Sequence, residues 1–105
     1  MATAEVSIIG LGRPSASASE YIAQMQRRLE RQDKVRFKLH AMGTELEGKL
    51  EDILGVVAEL HNLPFDLGLP RVYTVLKIDE RRDRPEQTLE DKVRSVEDRL
   101  QHGGF

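Results

Sequence analysis

The chain contains no cysteine. That removes a disulfide framework, a thiolate zinc site and a cysteine nucleophile together, and it fits a reducing compartment. It also lacks an excess of either charge: 16 lysines and arginines stand against 18 aspartates and glutamates, for a net charge of -2. A nucleic-acid binder carries a basic excess or stripe. None is evident, so no nucleic-acid partner is expected. No apolar run approaches the roughly 20 residues of a membrane span, so no membrane partner is expected either. The first residues, MATAEVSIIGLG, lack a basic segment followed by a long apolar core. They read as a strand of the mature protein and not as a signal peptide. A cytoplasmic protein is the expectation. No repeat of 20–50 residues is visible, which argues against a solenoid.

What remains is an ordinary globular composition over 105 residues. The length predicts a single domain, residues 1–105, large enough to bury a core without covalent staples. Residues 4–12, AEVSIIGLG, are rich in β-branched side chains and end in glycines, so they predict a strand. Val6 and Ile8 share one face, and Glu5, Ser7 and Ile9 the other. A Pro/Ser loop follows. Ser17 with Glu20 three residues on has the form of a capping box. Ile22, Met25 and Leu29 then recur at helical spacing, in a helix expected to end near Asp33.

Residues 35–50, VRFKLHAMGTELEGKL, alternate with period two. Val35, Phe37 and Leu39 oppose Arg36, Lys38 and His40; Thr44, Leu46 and Gly48 oppose Glu45, Glu47 and Lys49. This predicts a hairpin with one apolar face and a turn at Met42-Gly43, where glycine can take positive φ. Leu50, Ile53, Leu54, Val57 and Leu60 form the stripe of a second helix, ended by Pro64. Residues 70–79 are the fourth strand, with Val72, Thr74, Leu76 and Ile78 against Arg71, Tyr73, Val75 and Lys77. Thr88, with Asp91 three residues on, caps a last helix. Its seam is Leu89, Val93, Val96 and Leu100. The tail QHGGF is expected to fray.

The order β-α-β-β-α-β predicts an α+β fold, the ferredoxin-like sandwich: a four-stranded antiparallel sheet with two helices on one face, plus an extra C-terminal helix. That helix would cover a sheet edge or dock on a neighbouring subunit. The helices would cover Val6, Ile8, Phe37, Leu39, Leu46, Val72, Thr74 and Leu76. The open face would carry Glu5, Ser7, Ile9, Arg36, Lys38, His40, Glu45, Glu47, Tyr73, Val75 and Lys77. Such a face serves equally as a solvated surface with cross-strand ion pairs, an interface around Ile9, Tyr73 and Val75, or a polar pocket.

Catalytic signals are sparse. His40, His61 and His102 show no metal-ligand spacing, and His61 is expected to pack or hydrogen-bond at a helix end. A Ser7–His40–Glu5 or Ser7–His40–Glu47 set would lack an oxyanion hole. Glu45 and Glu47, about 7 Å apart along a strand, suit acid–base chemistry, cation binding or a plain charged strand. The segment GLGRPS misses the G-x-G-x-x-G spacing at Ser15. DERRDRPEQ reads as a solvated loop. No enzyme activity, catalytic residue, metal or cofactor is expected.

Three segments carry a resemblance: AEVSIIGLG, HAMGTELEG, and PRVYTVLKIDERRD with TLEDKVRSVEDRL. The patterns M-G-T-x-x-E-G over 42–48 and P-R-V-x-T-x-x-K-I-D over 70–79 resemble the thiamine-binding family of small, uncharacterised proteins. Gly10 departs from the proline expected there in many members. The resemblance implies a ferredoxin-like fold, dimers that pair through their sheets into tetramers, and a non-enzymatic role in holding thiamine or its hydroxymethylpyrimidine moiety. It carries Thr44 and Glu47 into the expected ligand site. Ser7, His40 and Tyr73 join them from strand geometry. Glu47 would accept from the pyrimidine amine, Thr44 and Ser7 would bond a ring nitrogen or hydroxyl, and Tyr73 would stack on a ring or meet the cation. The rival is a structural module whose charged sheet face only directs homo-oligomer assembly.

Overall fold

The computed structural model describes residues 1–12, 18–84 and 86–101. Its elements run β1 (Ala2–Leu11), α1 (Ala18–Glu30), β2 (Arg36–His40), β3 (Gly43–Gly48), α2 (Leu50–Asp66), β4 (Arg71–Glu80) and α3 (Leu89–Gln101). The strands form one antiparallel sheet in the order β2-β3-β1-β4. This is the α+β ferredoxin-like sandwich that the element order predicts, with a helix added at the C-terminal end.

Alternation in the strands decides which face is covered. Ala2, Ala4, Val6 and Ile8 of β1 and Leu46 of β3 are buried. They meet Tyr21, Met25 and Leu29 of α1 and Ile53, Val56, Val57 and Leu60 of α2. Each valine, leucine, isoleucine or methionine among them, fully buried, contributes about 1.5–3 kcal/mol. An ion pair between Arg28 and Glu59 joins the two helices on their outer side. The Gln32 side chain closes the α1–β2 connection. Its amide donates to the Leu29 and Val35 carbonyls at 2.9 and 2.8 Å and accepts from the Val35 amide at 2.8 Å.

Several expectations are corrected. The hairpin turn is Ala41-Met42, because Gly43 already pairs with His40 in β3. Gly43 does not use positive φ; among the described residues only Gly12 and Gly68 do. Gly43 is instead packed tightly: a Cβ there would lie 2.8 Å from the Val6 carbonyl oxygen of the adjacent strand. Pro64 does not end α2 but sits in its last turn, where its missing N–H removes a single intrahelical bond. The true stop is Gly68, with φ of 89°. The Gly68 amide donates to Phe65 at 2.9 Å and the Leu69 amide to Pro64 at 3.0 Å, the paired bonds of a Schellman motif. Helix α1 ends at Glu30, three residues before Asp33. Leu54 and Leu39, both assigned to the covered side, are exposed. Leu39 lies near the tip of β2, next to the turn. Ser17 of the proposed capping box and residues 102–105 of the tail lie outside the described residues.

The last helix is capped as its sequence predicts. The Asp91 amide donates to Thr88 Oγ1 at 3.1 Å, and the Thr88 amide donates to the Asp91 carboxylate at 3.0 Å. The Thr88 amide, and then its hydroxyl, hold the Asp91 carboxyl below the usual carboxylate range. Lys92 fastens α3 to the open side of the sheet. It donates to Thr3 Oγ1 at 2.8 Å and forms an ion pair with Asp79. Val93, Val96 and Leu100 remain exposed.

Candidate functional site

Strand register builds the open face in transverse rows. Directly opposed residues on neighbouring antiparallel strands project to the same side. One row reads Arg36, Glu47, Thr3, Asp79 across β2, β3, β1 and β4. The next reads Lys38, Glu45, Glu5, Lys77. Two carboxylates therefore face each other at the centre of the sheet, each flanked by a lysine. Beyond them His40 faces Gly43, Ser7 faces Val75 and Ile9 faces Tyr73.

His40 Nε2 lies 3.1 Å from Glu45 Oε1. This contact crosses from one row to the next and holds the imidazole over the carboxylates. Helix α3 converts one end of the face into a cleft of about 480 Å³. The β2–β3 floor supplies Arg36, Lys38, His40, Glu45 and Glu47, and the α3 wall supplies Leu89, Val93, Arg94 and Glu97. Thr3 is 3% exposed although it lies on the open face, because Lys92 of α3 sits against it. Within the cleft, Glu47 Oε2 is buried and has no hydrogen-bond partner among the described residues. A buried acceptor without a donor costs about 1–3 kcal/mol. This oxygen therefore favours a ligand that brings an N–H or O–H.

The five predicted ligand residues divide. Ser7, His40, Glu47 and Tyr73 belong to the open face by register, with Tyr73 exposed at the far end beside Ile9. Thr44 does not join them. It is 7% exposed and points to the helix side, where its hydroxyl accepts from Gln26 Nε2 of α1 at 3.3 Å. Glu47 is an odd number of positions from Thr44 along one strand, so the pleat sends them to opposite faces. His61 packs at the helix end as expected: its Nδ1 is 2.7 Å from Thr74 Oγ1, and its ring meets Phe65 edge-on at 5.7 Å.

A family model described as thiamine-binding protein matches residues 4–97. The chain belongs to this thiamine-binding protein family. A relative from Staphylococcus xylosus, the UPF0045 protein in the glkA 3′ region, is 42% identical over 99% of each chain. The solved structure of the hypothetical protein MJ1052 from Methanocaldococcus jannaschii is 40% identical, with a TM-score of 0.80 over 91% of this chain and 95% of that one. A Thermotoga maritima protein named for thiamine biosynthesis or salvage has a TM-score of 0.73 over 90% of this chain and 97% of its own. At 20% identity it speaks for the fold alone.

Against that family background, sequence reasoning missed the α3 wall of the cleft and the role of Lys92. The amphipathic phase of α3 was readable, but nothing local says which side of the sheet it reaches. Among the described residues, no group of three or more histidine, aspartate or glutamate side chains is placed to hold a metal ion. No helix there is long and apolar enough to cross a membrane. In the loop after β4, the hydrogen bond and charge of Arg81 hold Asp83 below the usual carboxylate range.

Proposed function

We propose that the protein is a non-enzymatic, cytoplasmic binding protein for thiamine or its hydroxymethylpyrimidine moiety. It works as a homodimer or homotetramer assembled through its sheets, with the ligand at the open sheet face. Family membership supports the ligand class. The observation that carries the site is the buried Oε2 of Glu47, without a partner among the described residues, in the cleft under α3. An aminopyrimidine supplies the amine that this oxygen lacks, in a charge-assisted hydrogen bond. The thiazolium cation of thiamine meets the neighbouring Glu45 carboxylate; Tyr73, at the far end of the face, would reach it only from a partner subunit, where a ring face is worth roughly 0.5–2 kcal/mol.

The test is isothermal titration of the purified protein with thiamine and then hydroxymethylpyrimidine, with the oligomer mass measured in the same buffer. Saturable binding that weakens in Glu47→Gln, at unchanged mass, is the expected result. Equal affinity in the variant removes Glu47 from the site. The second reading, an assembly module without a ligand, is favoured by the exposed Ile9, Tyr73 and Val75 on the same face. An intact oligomer that takes up neither compound supports it.

A further inference from the structure

Helix α3 is attached to the molecule more lightly than α1 or α2. None of its residues is buried, whereas α1 and α2 each bury several side chains. Val93, Val96 and Leu100 are 57%, 58% and 56% exposed. Among the described residues its polar link to the sheet is one side chain. The Lys92 ammonium donates to Thr3 Oγ1 at 2.8 Å and pairs with the Asp79 carboxylate. The contacts of Asp91 with Thr88 and with Arg94 stay local to the start of the helix. Segments with few buried contacts are the ones that open locally. Breaking the Lys92 contact would therefore free the helix as a unit.

The place where Lys92 lands matters. Thr3 and Asp79 stand in the same transverse row as Glu47, with Thr3 directly opposite Glu47. The Thr3 hydroxyl donates to the Asp79 carbonyl at 3.3 Å, which leaves its lone pairs for the ammonium. Lys92 does not line the cleft that holds Glu47; Leu89, Glu90, Val93, Arg94 and Glu97 of α3 do. Its own surroundings are a smaller gap over β1 and β4, where Glu5, Glu45 and Asp79 face it with one competing cation, Lys77.

We propose that Lys92 is a positioning residue for the Glu47 cleft: it latches α3 as a lid over the Glu47 carboxylate, and release of the latch lets water in and the ligand out. This rests on the open-face reading of the ligand site. Its physical basis is that the burial of Glu47 depends on the lid. Glu47 Oε2 is out of water while α3 stands beside it. With α3 swung away, water supplies the missing donors, and the oxygen gains little from a ligand's N–H. Leu89 and Val93 also give the lid the apolar lining that a flat ring needs. Lys92 thus controls affinity without touching the ligand.

The experiment is thiamine titration by calorimetry and hydrogen exchange by mass spectrometry on the full chain. The proteins are wild type, Lys92→Met, Glu47→Gln and the double variant. Lys92→Met should speed amide exchange in α3 about tenfold, with α1 and α2 at wild-type rates, and weaken thiamine binding about tenfold. Asp79→Asn, at a largely exposed position, should act in the same direction. Thiamine should slow α3 exchange in wild type. In the Glu47→Gln background, Lys92→Met should cost almost no further affinity, because the group it shields is gone. Additive losses in the double variant would show that Lys92 acts independently of Glu47 and would overturn the proposal. Wild-type α3 exchange in Lys92→Met overturns it too, and leaves the open-face reading standing if thiamine still binds. A wild type that takes up no thiamine defeats the open-face reading; faster α3 exchange in Lys92→Met then still supports the latch, and unchanged exchange overturns both.

Discussion

Replacing Glu47 by methionine should make the ligand-free protein more stable while removing its affinity for thiamine. Glu47 Oε2 is buried without a partner among the described residues, and releasing such an orphan is worth about 1–3 kcal/mol. Against this stands the loss of attraction to Arg36, which lies directly opposite in the register. Such a pair contributes about 0.2–1 kcal/mol. Methionine has similar reach and adapts to irregular space, so no large cavity term enters. The balance is a gain of about 1 kcal/mol, which in a domain of about 100 residues raises Tm by about 4–8 °C. Calorimetric melts of ligand-free wild type and variant measure the first half, and thiamine titration of both measures the second. A binding site that costs stability when empty is a common trade-off. A lower Tm in the variant would show that the carboxylate is satisfied in solution, and the argument for an unmet acceptor would fail. A higher Tm with unimpaired affinity would refute only the link between that oxygen and the ligand.

Other outcomes follow from the same geometry. Thr88→Ala should cost about 0.5–2 kcal/mol of local α3 stability, seen as faster hydrogen exchange in the first turn of α3. The Asp91 carboxyl is held below its ordinary range by Thr88, so its contribution is complete above the unfolded value of about pH 4 and is lost as pH falls through the lower folded value. Circular dichroism should therefore show no loss of α3 helicity between about pH 5 and 8 from this group, and a loss only below that window. Gly43→Val should destabilise by about 1–3 kcal/mol, because its Cβ would lie 2.8 Å from the Val6 carbonyl oxygen. Gly55→Ala should instead stabilise by about 0.5–1 kcal/mol, since a Cβ there meets nothing within 4 Å; denaturant melts of the two variants check the contrast. Tyr73→Glu should dissociate an oligomer built through the open face by burying a charge, and an unchanged mass by light scattering would remove Tyr73 from the interface.

Much of the architecture was legible because it rests on local periodicity. Period two in residues 35–50 sent Leu46 into the core and Glu45 and Glu47 away from it. The Thr88–Asp91 spacing located the start of α3 to the residue, since a capping box needs only contacts three positions apart. Turn and stop positions were less legible. Gly43 looked like a turn glycine and is a close-approach glycine, a distinction set by the β1 backbone beside it. Pro64 looked like a helix end, yet Gly68 four residues later supplied the actual Schellman stop.

The sequence by itself determined the element order, the sheet's two faces and the placement of charge on one of them. These depend on side-chain alternation and on chain connectivity, and both are written in neighbouring residues. Only the tertiary structure decided what Thr44 and Glu47, which alternation already sends to opposite faces, each meet there: Gln26 of α1 and the α3 wall. It alone brought Lys92 onto Thr3 and Asp79 and raised α3 as a wall beside Glu47. Those features arise from contacts between segments distant along the chain, where register and packing, and no local pattern, fix which groups meet.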